Sequence, residues 1–276
     1  MLKTLSNLLF YTFITVLVSV CLYPFTWMVF ASFKQNTELF NPNNFWPKEW
    51  SFFAWELLRD GEFLNWKTGL MNSLLISFGQ TFFAALFGFG FAFYLYFIKG
   101  KLKLILTILA VAAVVIPAQV MAIPLVEVSR DLGLYDNKWS IILTGSASGL
   151  GVLYFIQAFK RIPKALLDAA AIDGADQRSL FWLFFLESKS HLFGFLLLFF
   201  ILCWHAHLLP LLLLHTEGNL PLPLSMRSLL DSSLRFPRAV LMAASCLLMI
   251  PPLVFFMFGY KSLKYSLGEV LSDPDS

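Results

Sequence analysis

The stretch Pro163-Lys-Ala-Leu-Leu-Asp-Ala-Ala-Ala-Ile-Asp-Gly-Ala-Asp176 is polar, rich in alanine and interrupted by a glycine. It lies between two apolar windows, residues 139–159 and 190–216, each long enough to cross a membrane. A polar segment of this kind does not face lipid, because its backbone and charged groups need water or protein partners. It is either a docking element for a protein on the cytoplasmic side or an ordinary amphipathic connector.

Six windows of the chain contain no Asp, Glu, Lys or Arg and are long enough to span a bilayer. They are residues 4–33, 68–98, 104–126, 139–159, 190–216 and 239–260. The 276 residues are 58% apolar and 13% charged, whereas soluble domains are about 25% charged. The pattern predicts an all-α polytopic membrane protein, a single transmembrane domain over residues 1–276 with six helices.

Continuous apolar windows exclude the alternating strands of a membrane β-barrel. The net charge is +3, and the basic residues are scattered through short loops. No basic stripe with interleaved aromatic residues lies outside the windows, so no nucleic-acid partner is predicted.

An even number of spans places both termini on the same side of the membrane. Basic residues border span ends at residues 99–103 and 160–189, and such residues favour the cytoplasmic side. The sequence therefore predicts cytoplasmic termini, an extracytoplasmic loop at residues 34–67 and a cytoplasmic coupling loop at residues 160–189.

The loop at residues 34–67 is rich in aromatic side chains. These are Phe45, Trp46, Trp50, Phe52, Phe53, Trp55 and Trp66. Such rings prefer the boundary between membrane and water. Two interpretations stay open, an interfacial helix that lies on the bilayer and a platform for an external partner.

Within the stretch at residues 163–176, the residue types predict two helices joined by a bend. Pro163 suits the first position of a helix, and the alanines that follow are strong helix formers. Gly174 allows a backbone bend that other residues adopt only at a cost, and Asp176 is placed to cap the next helix.

Two of the windows contain residues that alter helix geometry. Pro117 and Pro124 are about two turns apart, which predicts two kinks on one side of the third span. Gly145, Gly149 and Gly151 in the fourth window predict close approach of helix backbones or a pore wall that bends.

The segment Asp168-Ala-Ala-Ala-Ile-Asp-Gly-Ala175, followed by Phe181, resembles the EAA loop of ABC importer permeases. Its Asp-Gly-Ala form resembles the carbohydrate branch, the maltose-type second permease subunit. Further segments resemble this family in the same order along nearly the whole chain. They are Leu22-Tyr-Pro-Phe-Thr-Trp-Met-Val-Phe-Ala-Ser-Phe-Lys34, Asn72-Ser73, Ile116-Pro-Ala-Gln-Val-Met-Ala-Ile-Pro-Leu125, Leu132-Gly-Leu134, Trp204 with Leu208 and Pro210, Met242-Ala-Ala-Ser245 and Ile250-Pro-Pro-Leu253.

The chain departs from the family pattern at three places. Asp168 replaces the leading Glu of the loop. The segment Glu187-Ser-Lys-Ser-His191 replaces two prolines that usually follow the loop's Phe position. In the fifth window, His205 and His207 stand where Asn and Phe are expected.

The resemblance implies a type I permease in the bacterial cytoplasmic (inner) membrane that imports a sugar or sugar-like solute. The sequence has no G-x-x-x-x-G-K-[ST] phosphate loop. We therefore expect that the chain itself is not an enzyme and binds no cofactor. ATP and Mg would be bound by two separate ATP-binding cassette subunits. The other implied partners are a second permease subunit, an extracytoplasmic solute-binding protein and the lipid membrane.

The resemblance also implies roles for individual residues. Those expected to couple to the ATPase are Asp168, Ala169, Ala170, Asp173, Gly174 and Ala175. Candidates for the solute pathway are Trp204, His205, His207 and Gln119. His205 and His207 are two residues apart and point to different helix faces, a spacing that does not suit a helical metal pair, so no metal site is predicted.

Two other classes of protein stay open. A transporter driven by an ion gradient normally carries acidic residues within its spans, and none of the six windows has one. A membrane-embedded enzyme needs a convergent set of acid, base or metal groups, and only His205 and His207 hint at one. Co-purification of an ATPase subunit distinguishes the permease from both alternatives.

Overall fold

The computed structural model describes residues 2–40, 44–61, 64–227, 229 and 237–271. These residues are predominantly helical, and no strand occurs among them, which confirms the all-α prediction. The helices are α1 (Leu2–Ala31), α2 (Phe53–Asp60), α3 (Trp66–Phe97), α4 (Gly100–Val115), α5 (Ala118–Asp131), α6 (Lys138–Ser146), α7 (Gly149–Phe159), α8 (Lys164–Ile172), α9 (Gln177–Glu187), α10 (Lys189–Trp204), α11 (Leu208–Leu213), α12 (Leu222–Ser225) and α13 (Arg238–Leu271). Short 3-10 helices lie at Glu38–Phe40 and Glu217–Asn219.

Four helical segments are long and apolar enough to cross a membrane by themselves. They are Ser6–Ala31, Trp66–Phe97, Lys138–Phe159 and Arg238–Ser262. Two further pairs qualify only together, each bent by more than 40° at a short break: Gly100–Val115 with Gln119–Asp131, and Gln177–Glu187 with Lys189–Trp204. The described residues therefore contain four spans, or six if each bent pair counts as one, in agreement with the predicted number.

Pro117 ends a helix instead of kinking it. Ile116 is extended, with φ −69° and ψ 120°, because the ring of a following proline disfavours the helical conformation. α4 therefore ends at Val115, and α5 begins at Ala118 with Pro124 inside it. The prediction of two kinks is corrected to one break and one proline within a helix.

The fifth window is also broken near its middle. α10 ends at Trp204 and α11 begins at Leu208. Pro210 has no N–H to donate to the carbonyl of Ala206, so a continuous helix would lose a hydrogen bond here. α9, which the sequence places in the cytoplasmic loop, forms the bent pair with α10.

The chain divides into two compact units, Met1–Lys67 with Ser225–Ile250 and Thr68–Leu224 with Pro251–Ser276. In the first unit, α2 packs close to the end of α1, where the indole N–H of Trp55 donates to Ser32 Oγ at 3.2 Å. The backbone N–H of Ser51 donates to Phe33 O at 2.9 Å. These contacts fold the segment after α1 back against that helix.

Among the described residues, the second unit has three apolar clusters, and α3 contributes to each; the smallest consists of Leu95, Ala110 and Val152. Ile76, Ile141, Leu213 and Leu214 form one cluster, where α5 and α6 pack against α11. The largest cluster lies where α7 packs against α10. Its buried members are Ala84, Ala85, Phe89, Ala92, Phe155, Ala158, Phe159, Ile162, Phe184 and Phe195. The breaks after α6 and α10 thus separate helices of the first cluster from helices of the second.

α3 and α7 approach each other closely at two glycines. A Cβ atom on Gly88 would lie 2.9 Å from the carbonyl carbon of Gly151, which is shorter than a van der Waals contact. The predicted close approach of helix backbones is therefore present at Gly151.

We expect Gly88→Ala to destabilise the second unit by about 1–3 kcal/mol, because the new methyl group meets backbone that has no room to move. Gly90→Ala is the matched control, since nothing lies within 4 Å of a Cβ atom there. Thermal unfolding of the detergent-purified protein measures both variants. Equal melting temperatures for Gly88→Ala and Gly90→Ala would contradict the close packing.

Candidate functional site

The segment at residues 163–176, here named the elbow, contains a glycine bend of defined geometry. Gly174 has φ +69°, a conformation in which a Cβ atom is strained. The N–H of Ala175 donates to Ala170 O at 2.9 Å and that of Gly174 to Ala171 O at 3.2 Å. Both bonds together form a Schellman motif, which ends α8 and satisfies its last carbonyls.

Asp176 begins its helix as predicted, whereas Pro163, predicted at the first helical position, is the N-cap of α8, with ψ 131°. Pro163 precedes α8, and its carbonyl accepts from the N–H of Leu166 at 3.0 Å. Asp176 caps α9, because its carboxylate accepts from the N–H of Ser179 at 2.8 Å. Hydrogen bonds from the side chain and the backbone of Ser179 hold the pKa of Asp176 below its ordinary value. The predicted sequence of helix, glycine bend and helix is confirmed.

One side of the elbow is anchored in the aromatic cluster of the second unit. Leu166 and Leu167 of α8 pack against that cluster. Phe184 of α9 is fully buried, and its ring centroid lies 4.9 Å from Phe159 and 5.3 Å from Phe93. A force on the elbow would therefore be transmitted through close ring contacts to α3 and α7.

The other side of the elbow is exposed. No residue of α8 is buried, and the side chain of Ile172 is 87% exposed. Asp168, Ala169, Asp173 and Gly174 are exposed as well, while Ala170 and Ala175 are half-buried. The coupling residues predicted from the sequence thus share one continuous segment, in which small side chains lie between two carboxylates and a large apolar residue.

The predicted pathway residues lie at the helix breaks. Gln119 is exposed in the first turn of α5, and His205 and His207 are exposed between α10 and α11. Because α5 packs against α11, these breaks belong to neighbouring helices. Trp204 is different, since it is only 3% exposed and its ring lies 5.6 Å from Phe200. In this conformation the Trp204 ring faces the protein interior.

Asp136 forms a polar clamp that the sequence analysis missed. Its carboxylate accepts from the N–H of His215 at 2.8 Å, the N–H of Thr216 at 3.1 Å and the hydroxyl of Thr216. The side-chain amide of Asn219 donates to the backbone carbonyl of Asp136 at 2.6 Å. Partial burial alone would raise the pKa of Asp136, but these hydrogen bonds outweigh it and hold the pKa at about 2.

The same loop is held from a second direction by Asn72. The amide of Asn72 donates to Gly218 O at 2.8 Å and to Leu220 O at 3.0 Å, and its oxygen accepts from Lys138 Nζ at 3.0 Å. The loop after α11 is therefore fixed to the start of α3 and to the loop before α6. This network lies in the second unit, away from the aromatic cluster that anchors the elbow.

We expect Asp136→Ala to lower the free energy of opening of this loop by up to about 2 kcal/mol near neutral pH. The reason is that the pKa of Asp136 in the folded protein, about 2, lies well below the ordinary value of about 3.9. A carboxyl group whose pKa is lower in the folded than in the unfolded state stabilises the folded state at pH values above the unfolded-state pKa. This stabilisation is lost as the pH falls toward the folded-state pKa. Hydrogen exchange of the His215 and Thr216 amides measures the opening. Asp136→Asn keeps one acceptor oxygen and should show a smaller change.

The difference in exchange between Asp136→Ala and the unchanged protein should shrink as the pH falls from about 5 toward 3. A difference that stays constant over this range would show that the charge of Asp136 does not hold the loop.

Two features of the site escaped the sequence analysis for different reasons. The Asp136 clamp joins residues about 80 positions apart, and no local spacing reports such a pair. The aromatic cluster that anchors the elbow could have been predicted from the repeated phenylalanines in the sequence of α3 and α9. Phe89 and Phe181, for example, lie 5.3 Å apart in an edge-to-face arrangement.

Among the described residues, no group of three or more His, Cys, Asp or Glu side chains is placed to hold a metal ion. The three cysteines are free thiols, exposed at Cys21 and half-buried at Cys203 and Cys246. The described arrangement offers an exposed elbow, polar groups at helix breaks and a clamped loop.

The chain is similar to transport permeases along most of its length. It is 27% identical over 248 residues to the arabinooligosaccharides transport system permease protein AraQ of Bacillus subtilis (strain 168). The matched region covers 87% of this chain and 86% of that relative. It is 33% identical over 142 residues, half of each chain, to the sn-glycerol-3-phosphate transport system permease protein UgpE of Yersinia pestis. The probable starch degradation products permease AmyC of Thermoanaerobacterium thermosulfurigenes is 28% identical and covers 77% of this chain and 78% of its own. No model of a known protein family matches the chain.

The fold is also found in a solved transporter. The chain matches a crystal structure of a bacterial ABC transporter involved in the import of the acidic polysaccharide alginate, with a TM-score of 0.83 and 18% identity over 94% of this chain and 96% of the other. Fold, exposed elbow and relatives agree. The chain is therefore similar in sequence and in fold to the transmembrane permease subunits of ABC importers, in which ATP hydrolysis takes place in separate subunits.

Proposed function

We propose that this subunit forms half of the translocation pathway for a sugar or sugar-like solute and that a second permease subunit forms the other half. The relatives named above serve arabinooligosaccharides, sn-glycerol-3-phosphate and starch degradation products. These solutes share a high density of hydroxyl groups. A hydroxyl-rich solute fits a chain whose predicted spans carry amide and imidazole side chains but no carboxylates.

The observation that carries this proposal is the elbow, exposed on one side and anchored in the aromatic cluster on the other. Two ATP-binding cassette subunits, which hold ATP and Mg, dock on the elbows of the two permease subunits. Their closure moves the elbow, and the contacts of Phe184 with Phe93 and Phe159 pass this movement to α3 and α7. The transporter then alternates between inward-open and outward-open states, as a ligand-biased two-state system does.

The same proposal assigns the sides of the membrane. Residues 160–189 form the cytoplasmic coupling loop, both termini are cytoplasmic, and residues 34–67 are extracytoplasmic. The clamped loop after α11 then lies on the extracytoplasmic side, where a solute-binding protein delivers the solute. The membrane is the cytoplasmic membrane of a bacterium.

The exposed polar groups at the helix breaks form this subunit's share of the pathway. Gln119, His205 and His207 are exposed near the middle of apolar windows, where contact with lipid tails is unfavourable. Irregular backbone at this depth is tolerated where it lines a water-filled cavity or is covered by protein. The buried ring of Trp204 contacts the solute only if the second unit rearranges during transport.

Uptake into proteoliposomes tests the proposal. The complete transporter with its binding protein should accumulate a labelled sugar only when ATP is present on the side of the elbow, and the ATPase subunits should co-purify with this chain. Uptake driven by a proton or sodium gradient without ATP would contradict it. A binding screen of the solute-binding protein against oligosaccharides, monosaccharides, polyols and glycerol phosphate identifies the solute.

A further inference from the structure

The segment after α1 carries four large aromatic side chains that point away from the rest of the first unit. Trp46, Trp50, Phe52 and Phe53 are 62%, 58%, 60% and 56% exposed. They fall within eight consecutive residues, so they form one patch and not scattered apolar residues. A patch of this kind marks a surface with a partner. We name it the aromatic patch.

The aromatic patch lies beside the end of the first span. The ring of Trp46 is 4.3 Å from that of Phe30, and the ring of Trp50 is 6.1 Å from it. Phe45 reaches further back along α1, where it stacks on Tyr23 at 5.5 Å. Tyr23 and Phe30 both belong to the apolar span Ser6–Ala31. The segment therefore folds back beside the outer turns of a membrane-spanning helix and does not project into water.

The exposed apolar surface of α1 continues into the aromatic patch. The span Ser6–Ala31 buries none of its most apolar window within the chain, and Tyr23 and Phe25 are exposed on it. The rings of Phe30, Trp46 and Trp50 extend this apolar surface beyond the last turn. A helix of this length ends at the boundary between bilayer and water, which is where the aromatic patch lies.

The polar groups of the segment are arranged as a membrane surface requires. Lys48 lies between Trp46 and Trp50 with an exposed side chain, where an ammonium group meets lipid phosphates. At the other end of α2, the ion pair of Arg59 and Asp60, 2.9 Å apart, is well exposed.

We propose that the aromatic patch inserts into the lipid headgroup layer and anchors the segment that follows α1 to the membrane surface. A surface inserted into lipid is not available to a soluble protein, so the aromatic patch is not where the solute-binding protein docks. The solute-binding protein is left with the surfaces of the chain that are not covered by lipid.

Spin labelling of the complete transporter in lipid nanodiscs tests this proposal. The three native cysteines are replaced, and a nitroxide is attached at Trp50→Cys, with Phe52→Cys as a second site. Leu17→Cys on α1 is the lipid reference and Arg59→Cys the water reference. We expect the ratio of collision rates with oxygen and with a nickel chelate at position 50 to lie between those at positions 17 and 59 and to exceed that at position 59 several-fold.

Two results would overturn the proposal. A ratio at positions 50 and 52 equal to that at position 59 would place the aromatic patch in water. A fall of both collision rates on addition of the solute-binding protein would make the aromatic patch a protein-docking surface. If the labelled variants do not assemble, brominated phospholipids give the answer by quenching tryptophan fluorescence. Trp50→Phe should then remove more quenchable emission than Trp204→Phe, and equal losses would contradict the proposal.

Discussion

Gly174→Val is expected to uncouple ATP hydrolysis from uptake while the protein still reaches the membrane. Gly174 has φ +69°, and a β-branched side chain in that conformation is strained by about 1–3 kcal/mol. The helix would end elsewhere, and Asp173 and Ala175 would lose their present positions. We expect uptake to fall by about 5- to 150-fold, the factors that correspond to about 1–3 kcal/mol. Labelled-solute uptake and ATPase rate, measured on the same proteoliposomes, report the uncoupling.

Two controls separate the elbow from backbone strain in general. Gly174→Asn should keep most of the uptake, because asparagine tolerates the left-handed conformation. Gly100→Val introduces the same strain at φ +75° outside the elbow and should leave coupling intact. Full uptake by Gly174→Val at normal membrane levels would contradict the role of the bend.

Ile172→Glu is expected to weaken binding of the ATPase subunits by about 30-fold, the effect of losing roughly 2 kcal/mol at the centre of an interface. The side chain of Ile172 is apolar and 87% exposed in the isolated chain, so docking would bury it. A carboxylate in its place would be buried without a partner. Titration of the detergent-purified permease with ATPase subunits measures the affinity.

Leu132→Glu is the control for this substitution. Leu132 is also apolar and exposed, but it lies in the loop before α6 near the Asp136 clamp, not on the elbow. We expect its affinity for the ATPase subunits to stay unchanged. Equal affinity for Ile172→Glu and the unchanged protein would show that the ATPase docks elsewhere.

The sequence predicted the elbow well because its structure is local. Pro163, Gly174 and Asp176 each act within one helical turn, through a fixed φ, a left-handed bend and a cap. Such signals are independent of the rest of the fold. The apolar windows were equally clear, since a span is defined by length and composition.

The helix breaks were predicted less well because a window of apolar residues does not show where its helix stops. Pro117 was expected to bend the third span, yet the steric effect on Ile116 ends the helix there. The Asp136 clamp was not predicted at all. Its partners come from a loop far along the chain, and only the packing of α5 and α6 against α11 brings them within hydrogen-bonding distance.

Cross-linking of the elbow to the ATPase subunits tests the central claim most directly. A cysteine-reactive photo-cross-linker placed at Ala169→Cys, in a background without the native cysteines, should capture the ATPase subunit in actively transporting membranes. The same reagent at Leu132→Cys should not. Transport that proceeds with no ATPase cross-link from residue 169, or with an equal yield from both positions, would contradict docking of the ATPase on the elbow.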